Sequence, residues 1–265
     1  MRRVAKSCCH PRSGGYHPAI QVIRHGKRPQ HMISRRATFS LVFLSCAGAS
    51  RAQSPEAGTD AVFQPSFLKG DKRRVAGKGF TVAHNGQIVM LTAHHLFGPA
   101  GGFDDELEFA ELTKAFDTME ATSIGASGRV IRSKRLLDVQ GAHIVNIQDV
   151  RADLAAFLVE DGRDVPTLTL ARRLPKTGER IWLISSVVGS TSLRHAGEVT
   201  ISGMGHIQWQ FETKGIDVTA TSGAPVVDKD GAVIAICLGA GTDNVHIYGY
   251  GGSAAGILQR LADAK

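Results

Sequence analysis

Three short stretches of the chain have residue types that could together perform nucleophilic acyl transfer. In LTAHHLF, the apolar run at residues 87–91 ends in Thr92, Ala93 and the paired His94 and His95. In RADLAAFLV, Asp153 stands at the mouth of a small and apolar run, and in TATSGAPVV, Ser222 is presented among small residues just before another. The reaction needs a hydroxyl to attack a carbonyl, a base to take its proton and an acid to hold that base in one tautomer. It also needs backbone N–H groups to stabilise the oxyanion. Small neighbours around Ser222 let substrate and backbone approach closely.

Each stretch alone has a plainer reading. A histidine at a strand end is more often structural than catalytic, an aspartate opening a strand is usually a turn residue, and SGAP by itself is a turn. The three together, each at a strand boundary, favour chemistry. Alternative partners fit worse: Asp149 is followed by Val150 and Arg151, which do not begin an apolar strand, and Ser185, Ser186 and Ser192 lack the Gly-x-Pro setting. A metal reading of His94 and His95 would need further ligands at metal-binding spacing, and none is present. Consecutive residues of an extended chain also point to opposite sides, which places the pair poorly for one ion.

The elements that must position these residues read as strands. Runs such as GFTVAH, QIVMLTA, RVIRS, AHIVNIQ, LAAFLVE, TLTLA, RIWLISSVV, EVTISG, IQWQFE, APVVD and AVIAICLG are short and rich in Val, Ile, Thr and aromatics. Turn pairs at Asn85-Gly86 and Asp230-Gly231 favour hairpins. This spacing, without long intervening helices, predicts an all-β sandwich or barrel pair. Helices are predicted at 105–116 (DELEFAELTKAF) and 253–264 (SAAGILQRLADA). Residues 161–166 or 171–178 are turn-forming and could join two β units. Residues 98–124 are long for a connection and could form a lid or exosite.

The three stretches resemble the signatures of the chymotrypsin/trypsin-like serine proteases. Thr92-Ala93-His94-His95 is similar to their Thr-Ala-Ala-His-Cys, Asp153-Leu154-Ala155 to Asp-Ile-Ala, and Ser222-Gly223-Ala224-Pro225-Val226 to Ser-Gly-Gly-Pro-Val. The order His, Asp, Ser matches too, at intervals of 58 and 69 residues, and other triad folds use other orders. The resemblance covers about 65–262. It implies two antiparallel β-barrels with a crevice between them and a C-terminal helix: a first barrel at 65–165 supplying His95 and Asp153, and a second at 166–265 supplying Ser222. Counting from Thr92 through the motif assigns catalysis to His95 and leaves His94 where Ala is usual. The oxyanion hole would be the N–H groups of Ala220 and Ser222.

Departures from the pattern bear on activity. Ala220 stands where Gly is common, and its Cβ is expected to disfavour the conformation that turns the N–H inward. Thr221 replaces the acidic residue that pairs with a new N-terminus in zymogen-type members, so no propeptide switch is implied. Leu238 falls where a Ser often supports the catalytic Asp. The substrate pocket would comprise Ile216 at its floor with Leu238, Gly239 and Ala240; without a carboxylate at the floor, a small or medium apolar P1 residue is expected.

Charge is distributed unevenly. Residues 1–52 hold ten Lys/Arg and no acid, whereas the remainder carries 21 Lys/Arg against 24 Asp/Glu, so the overall +7 belongs to the leader and does not indicate nucleic-acid binding. Met32, Arg35 and Arg36 begin a basic n-region, residues 39–47 form a short apolar h-region, and Ser50 and Ala52 suit cleavage after Ala52. Residues 32–52 are therefore expected to be a signal peptide, residues 53–64 a linker, and residues 1–31 either upstream of a true start at Met32 or a disordered extension. Arg35-Arg36 is compatible with Tat as well as Sec export, and Cys46 sits in a weak lipoprotein box. No run reaches the length of a transmembrane helix. Of the four cysteines only Cys237 follows the leader, which excludes an internal disulfide in the exported part.

The expected function is an exported serine endopeptidase, periplasmic or secreted, acting on a protein or peptide without a cofactor or metal. The rivals are a catalytically impaired fold that binds, and an esterase using the same triad.

Overall fold

Burial alternates along residues 118–123, 130–133 and 207–211 and is continuous along 79–82, 89–92 and 233–238; these runs build a two-sheet β structure, and among the described residues its two α-helices are short. The computed structural model describes residues 58–139, 141–142, 150–243, 245–262 and 264. The proposed extension, signal peptide and lipoprotein box, Asp149, and most of the AHIVNIQ run lie outside the described residues. The elements are β1 (Val62–Lys69), β2 (Lys72–Val75), β3 (Gly79–His84), β4 (Gln87–Thr92), α1 (Phe109–Ala115), β5 (Thr118–Ser123), β6 (Val130–Ser133), β7 (Arg135–Leu136) and β8 (Ala155–Leu158). They continue as β9 (Arg180–Ile184), β10 (Arg194–Ser202), β11 (Ile207–Phe211), β12 (Pro225–Val227), β13 (Val233–Thr242), β14 (Ile247–Ser253) and α2 (Ala254–Ala262).

Among the described residues the first sheet runs β6-β5-β1-β3-β4-β8-β7, with β2 paired to β1, and the second closes into a barrel, β10-β11-β14-β13-β12-β9. All the strand pairings are antiparallel. The Asn85-Gly86 hairpin forms as expected, with φ 49 and 74 at its two turn residues and His84 opposite Gln87. The all-β class with a C-terminal helix is thus the observed fold, the second sheet being a closed barrel.

Several elements differ from the sequence reading. TLTLA forms no strand; its Leu168 and Leu170 make single parallel bridges to Val82 and Val233, so this connection is tied to both sheets. Helix α1 begins at Phe109 rather than at residue 105, because Glu111 Oε2 accepts the Glu108 N–H at 3.1 Å and fixes the first turn there. Residues 98–124 are not a free lid, since they include α1, whose Leu112 is buried, and β5, paired to β1 along its length. Strands β1, β2, β5, β7 and β14 were not among the expected runs. In β14 the glycines are structural: a Cβ on Gly249 would collide with the Trp209 indole, the largest fully buried side chain of the second core.

The first core places the site. Phe67, Phe97, Phe116 and Phe157 meet with ring centroids 4.7 to 6.1 Å apart. Burial of each is worth about 1.5–3 kcal/mol. Phe97 lies two residues after His95, and Phe157 lies four after Asp153. The segments carrying both site residues are therefore anchored in one aromatic cluster.

Candidate active site

Register brings His95 and Asp153 together. Strand β4 pairs antiparallel with β8, Thr92 opposite Ala155, so the exit of one strand and the entrance of the other are adjacent. Beyond Thr92 the chain enters a 3-10 turn, His94–Phe97; before Ala155 it leaves another, Val150–Ala152. Asp153 Oδ2 lies 2.7 Å from His95 Nδ1, and its Oδ1 accepts the His95 main-chain N–H at 2.9 Å. The carboxylate is fully buried while the imidazole stays 15% exposed, as an orienting acid and a working base require.

The two histidines diverge, although not because the chain is extended there. In the 3-10 turn His94 is buried, its Nε2 lies 3.0 Å from Leu107 O, and its ring packs at 6.1 Å from that of Phe97. His94 belongs to the core and His95 to the pair with Asp153. Among the described residues no group of three or more His, Cys, Asp and Glu is arranged to hold a metal ion.

Ser222 comes from a tightly bonded turn between the bridge at Asp217 and β12. Asp217 Oδ1 accepts the Thr219 N–H at 2.8 Å, and the Thr219 hydroxyl, with that main-chain N–H second, holds the Asp217 carboxyl below its usual range. Thr221 gives both its N–H (3.3 Å) and its hydroxyl (2.7 Å) to Val218 O. Thr221 is buried and caps the turn, where zymogen-type relatives would place a carboxylate. Gly223 N–H donates to Cys237 O at 2.7 Å, and Ala224 N–H to Thr221 O at 2.9 Å. Gly223 has φ 86, and a Cβ on it would collide with Lys78 O, so glycine is required both conformationally and sterically. Among the described residues, the N–H groups of this turn that donate to no protein acceptor include those of Ala220 and Ser222, the two expected to form an oxyanion hole.

Ala220 adopts the left-handed region, φ 62, despite its Cβ. That conformation costs a non-glycine residue about 1–2 kcal/mol. The Cβ expected to disfavour a glycine-like conformation therefore makes it costly without preventing it.

The His95 turn and the Ser222 turn converge on Gly77, where a Cβ would lie 2.5 Å from both Leu96 Cδ1 and Ser222 O. Leu96, Gly77, Ala220 and Ser222 line one cleft of about 1060 Å³, together with Ile216, Gly239 and Ala240. No hydrogen bond joins His95 Nε2 to Ser222 Oγ among the described residues; such contacts in free enzymes often tighten only with substrate bound. Leu238 does not line the cleft. It sits at a β-bulge between Cys237 and Gly239, is 2% exposed and packs into the first core, because the bulge turns it away from the wall that its neighbours form. Cys237 is buried, which pushes its thiol up to about 11 and removes it as a nucleophile at neutral pH.

One residue of this site was not singled out by motif. Lys78 is 3% exposed, yet its Nζ reaches Ala220 O at 3.2 Å. The available signal was a lone lysine between Gly77 and Gly79 at the start of the apolar run FTVA.

Comparison with known proteins follows the same lines. A family model described as a trypsin-like peptidase domain matches residues 77–236. No curated protein matches the chain by sequence. Among solved structures, the active form of the Rv3671c protease from M. tuberculosis is similar with a TM-score of 0.52 at 16% identity, over 78% of this chain and 81% of that one. Its inactive form gives 0.50 at 14%, over 78% and 89%. The serine endoprotease from Yersinia pestis gives 0.52 at 16%, over 78% of this chain and 64% of that one. At these identities the structural likeness is one of fold. The family model, which spans more than half of the chain and contains His95, Asp153 and Ser222, assigns the class: the chain belongs to the trypsin-like peptidase domain family, as a serine-type peptidase.

Proposed function

We propose that the protein is an exported serine endopeptidase in which Ser222 is the nucleophile, His95 the general base and Asp153 the acid that orients it. The observation that carries this reading is the buried Asp153 carboxylate held by both the ring and the main chain of His95, beside a cleft whose wall includes Ser222. In this scheme Ser222 Oγ bonds to the scissile carbonyl carbon as its proton passes to His95 Nε2. The oxyanion is received by the Ala220 and Ser222 N–H groups. Collapse breaks the C–N bond while His95 returns the proton to the leaving amine, and water activated by His95 then hydrolyses the acyl-enzyme. Asp153 stabilises the cationic imidazole in each half-reaction. The scheme needs no cofactor.

The substrate side of the cleft supports a small or medium apolar P1 residue, since Ile216, Val218, Ala240 and Ile247 all contribute to its lining. Asp217 also lines it but is committed through Oδ1 to Thr219. Export to the periplasm or medium rests on the basic and apolar leader ending near Ala52. A fluorophosphonate probe applied to the exported form, with Ser222→Ala as control, tests the activated serine. A peptide library tests P1, where selectivity for Lys would overturn the apolar pocket and implicate Asp217. Sequencing the N-terminus of the mature protein tests cleavage after Ala52.

A further inference from the structure

Lys78 enters β3 from the first sheet and clasps the Ser222 turn of the second. Its main-chain N–H donates to Ser222 O at 2.8 Å. Its carbonyl accepts the Thr92 hydroxyl at 2.6 Å, which ties it to the strand leading to His95. Its side chain, 3% exposed, runs to Ala220 O at 3.2 Å. Among the described residues no carboxylate pairs with this ammonium. Burial lowers its pKa from the ordinary 10.5 of lysine, and desolvation is the cause. A cation buried without a counter-ion is a cost to the fold, and the side-chain hydrogen bond that it makes among the described residues is to the turn bearing the nucleophile.

That contact falls on an informative peptide. The plane joining Ala220 to Thr221 is gripped at both of its polar atoms: the carbonyl by Lys78 Nζ and the N–H by Val218 O at 3.3 Å. The N–H groups of Ala220 and Ser222 flank this plane on either side and donate to no protein acceptor among the described residues. Holding this plane through both bonds sets ψ at Ala220 and φ at Thr221, two of the torsions that relate the flanking N–H groups to each other. Ala220 has to be held at φ 62, where a non-glycine residue is strained, and Lys78 adds a restraint from outside the turn to the bonds within it.

We propose that Lys78 is a positioning residue for the oxyanion hole, fixing the 220–221 peptide through Ala220 O so that the N–H groups of Ala220 and Ser222 are presented together. The proposal rests on the serine-peptidase reading for its catalytic consequence, although not for its structural one.

Lys78→Met in the full chain tests it, with kcat, KM, melting temperature and amide hydrogen exchange read on the same preparation. The expected result separates stability from activity. Removing a buried unpaired charge leaves the melting temperature unchanged or higher. Turnover falls by about 10²–10³-fold in kcat, the size of a lost oxyanion donor, with KM nearly constant. Exchange accelerates at residues 218–223 and not elsewhere. Lys78→Gln, which keeps an N–H donor without the charge, recovers part of kcat and serves if the methionine variant fails to fold. Wild-type kcat with wild-type exchange overturns the proposal. So does a loss of kcat that tracks a lower melting temperature and faster exchange throughout, because that is a merely structural role. If the wild type shows no turnover and no serine labelling, the endopeptidase reading fails separately, and localised exchange still decides whether Lys78 holds the turn.

Discussion

Replacing Asp153 by asparagine keeps the shape of the side chain, and the two hydrogen bonds of the carboxylate dictate how the amide settles. The His95 main-chain N–H, 2.9 Å from Oδ1, is a donor at every pH, so the amide oxygen takes that place. The NH2 group then faces His95 Nδ1, which lies 2.7 Å from Oδ2 in the native site, and Nδ1 must become an acceptor. The imidazole proton moves to Nε2, and the ring loses the lone pair that would receive the Ser222 proton. The reverse flip would set two donors against each other in a buried site, at a cost of about 1–3 kcal/mol. This wrong tautomer costs about 10⁴-fold in kcat where a Ser-His-Asp triad has been changed in the same way, or ~5.5 kcal/mol of barrier at ~1.36 kcal/mol per tenfold. Turnover of an activated ester and the rate of fluorophosphonate inactivation both measure it, with circular dichroism to check that the fold is intact. A folded Asp153→Asn variant that retains a tenth of wild-type activity would refute the tautomer argument and the role given to Asp153.

Other outcomes follow from the same geometry. His95→Ala should lose at least ~10⁴-fold in kcat, whereas His94→Ala should keep most of its turnover per folded molecule and lose stability, because His94 fills the core beside Phe97; kcat and melting temperature measured on both variants decide which histidine works. Ala220→Gly relieves a left-handed alanine at φ 62, worth ~1–2 kcal/mol, against ~0.4–1 kcal/mol of added freedom in the unfolded chain. Its stability should stay level or rise by up to ~1.6 kcal/mol with kcat retained, as chemical denaturation and kinetics can show. His195 is buried, and burial holds its pKa below the ordinary 6.5 despite its bond to Ser185 O. Above 6.5 both folded and unfolded chains carry it neutral. Below that pH the unfolded chain takes up the proton first, so stability should fall on acidification through this range, and His195→Gln should flatten that part of the melting-temperature profile.

Much of the site was legible because acyl transfer constrains residue type and strand constrains position. TAHH, DLA and SGAPV each fall at a strand boundary that the structure retains, with β3, β4, β8, β12 and β13 close to their predicted spans. What escaped was carried by packing rather than pattern. Strand β14 was absent from the expected runs because its glycines interrupt the apolar pattern, and Trp209 requires the space at Gly249. Strand β1 contains Pro65, opposite Ala121 of β5. Leu238 was placed in the pocket by counting along a strand, and a β-bulge carries it into the core instead. Lys78 gave only the signal of a charge at the start of an apolar strand, because its role comes from a contact across 142 residues of sequence.

The central claim is that Ser222 is an activated nucleophile served by His95 and Asp153. Stoichiometric fluorophosphonate labelling of the exported protein, mapped by mass spectrometry, tests it most directly. One adduct at Ser222, absent in Ser222→Ala and strongly slowed in His95→Ala, is the predicted result. A folded wild-type protein that remains unlabelled, or labelling that persists in Ser222→Ala, would contradict it.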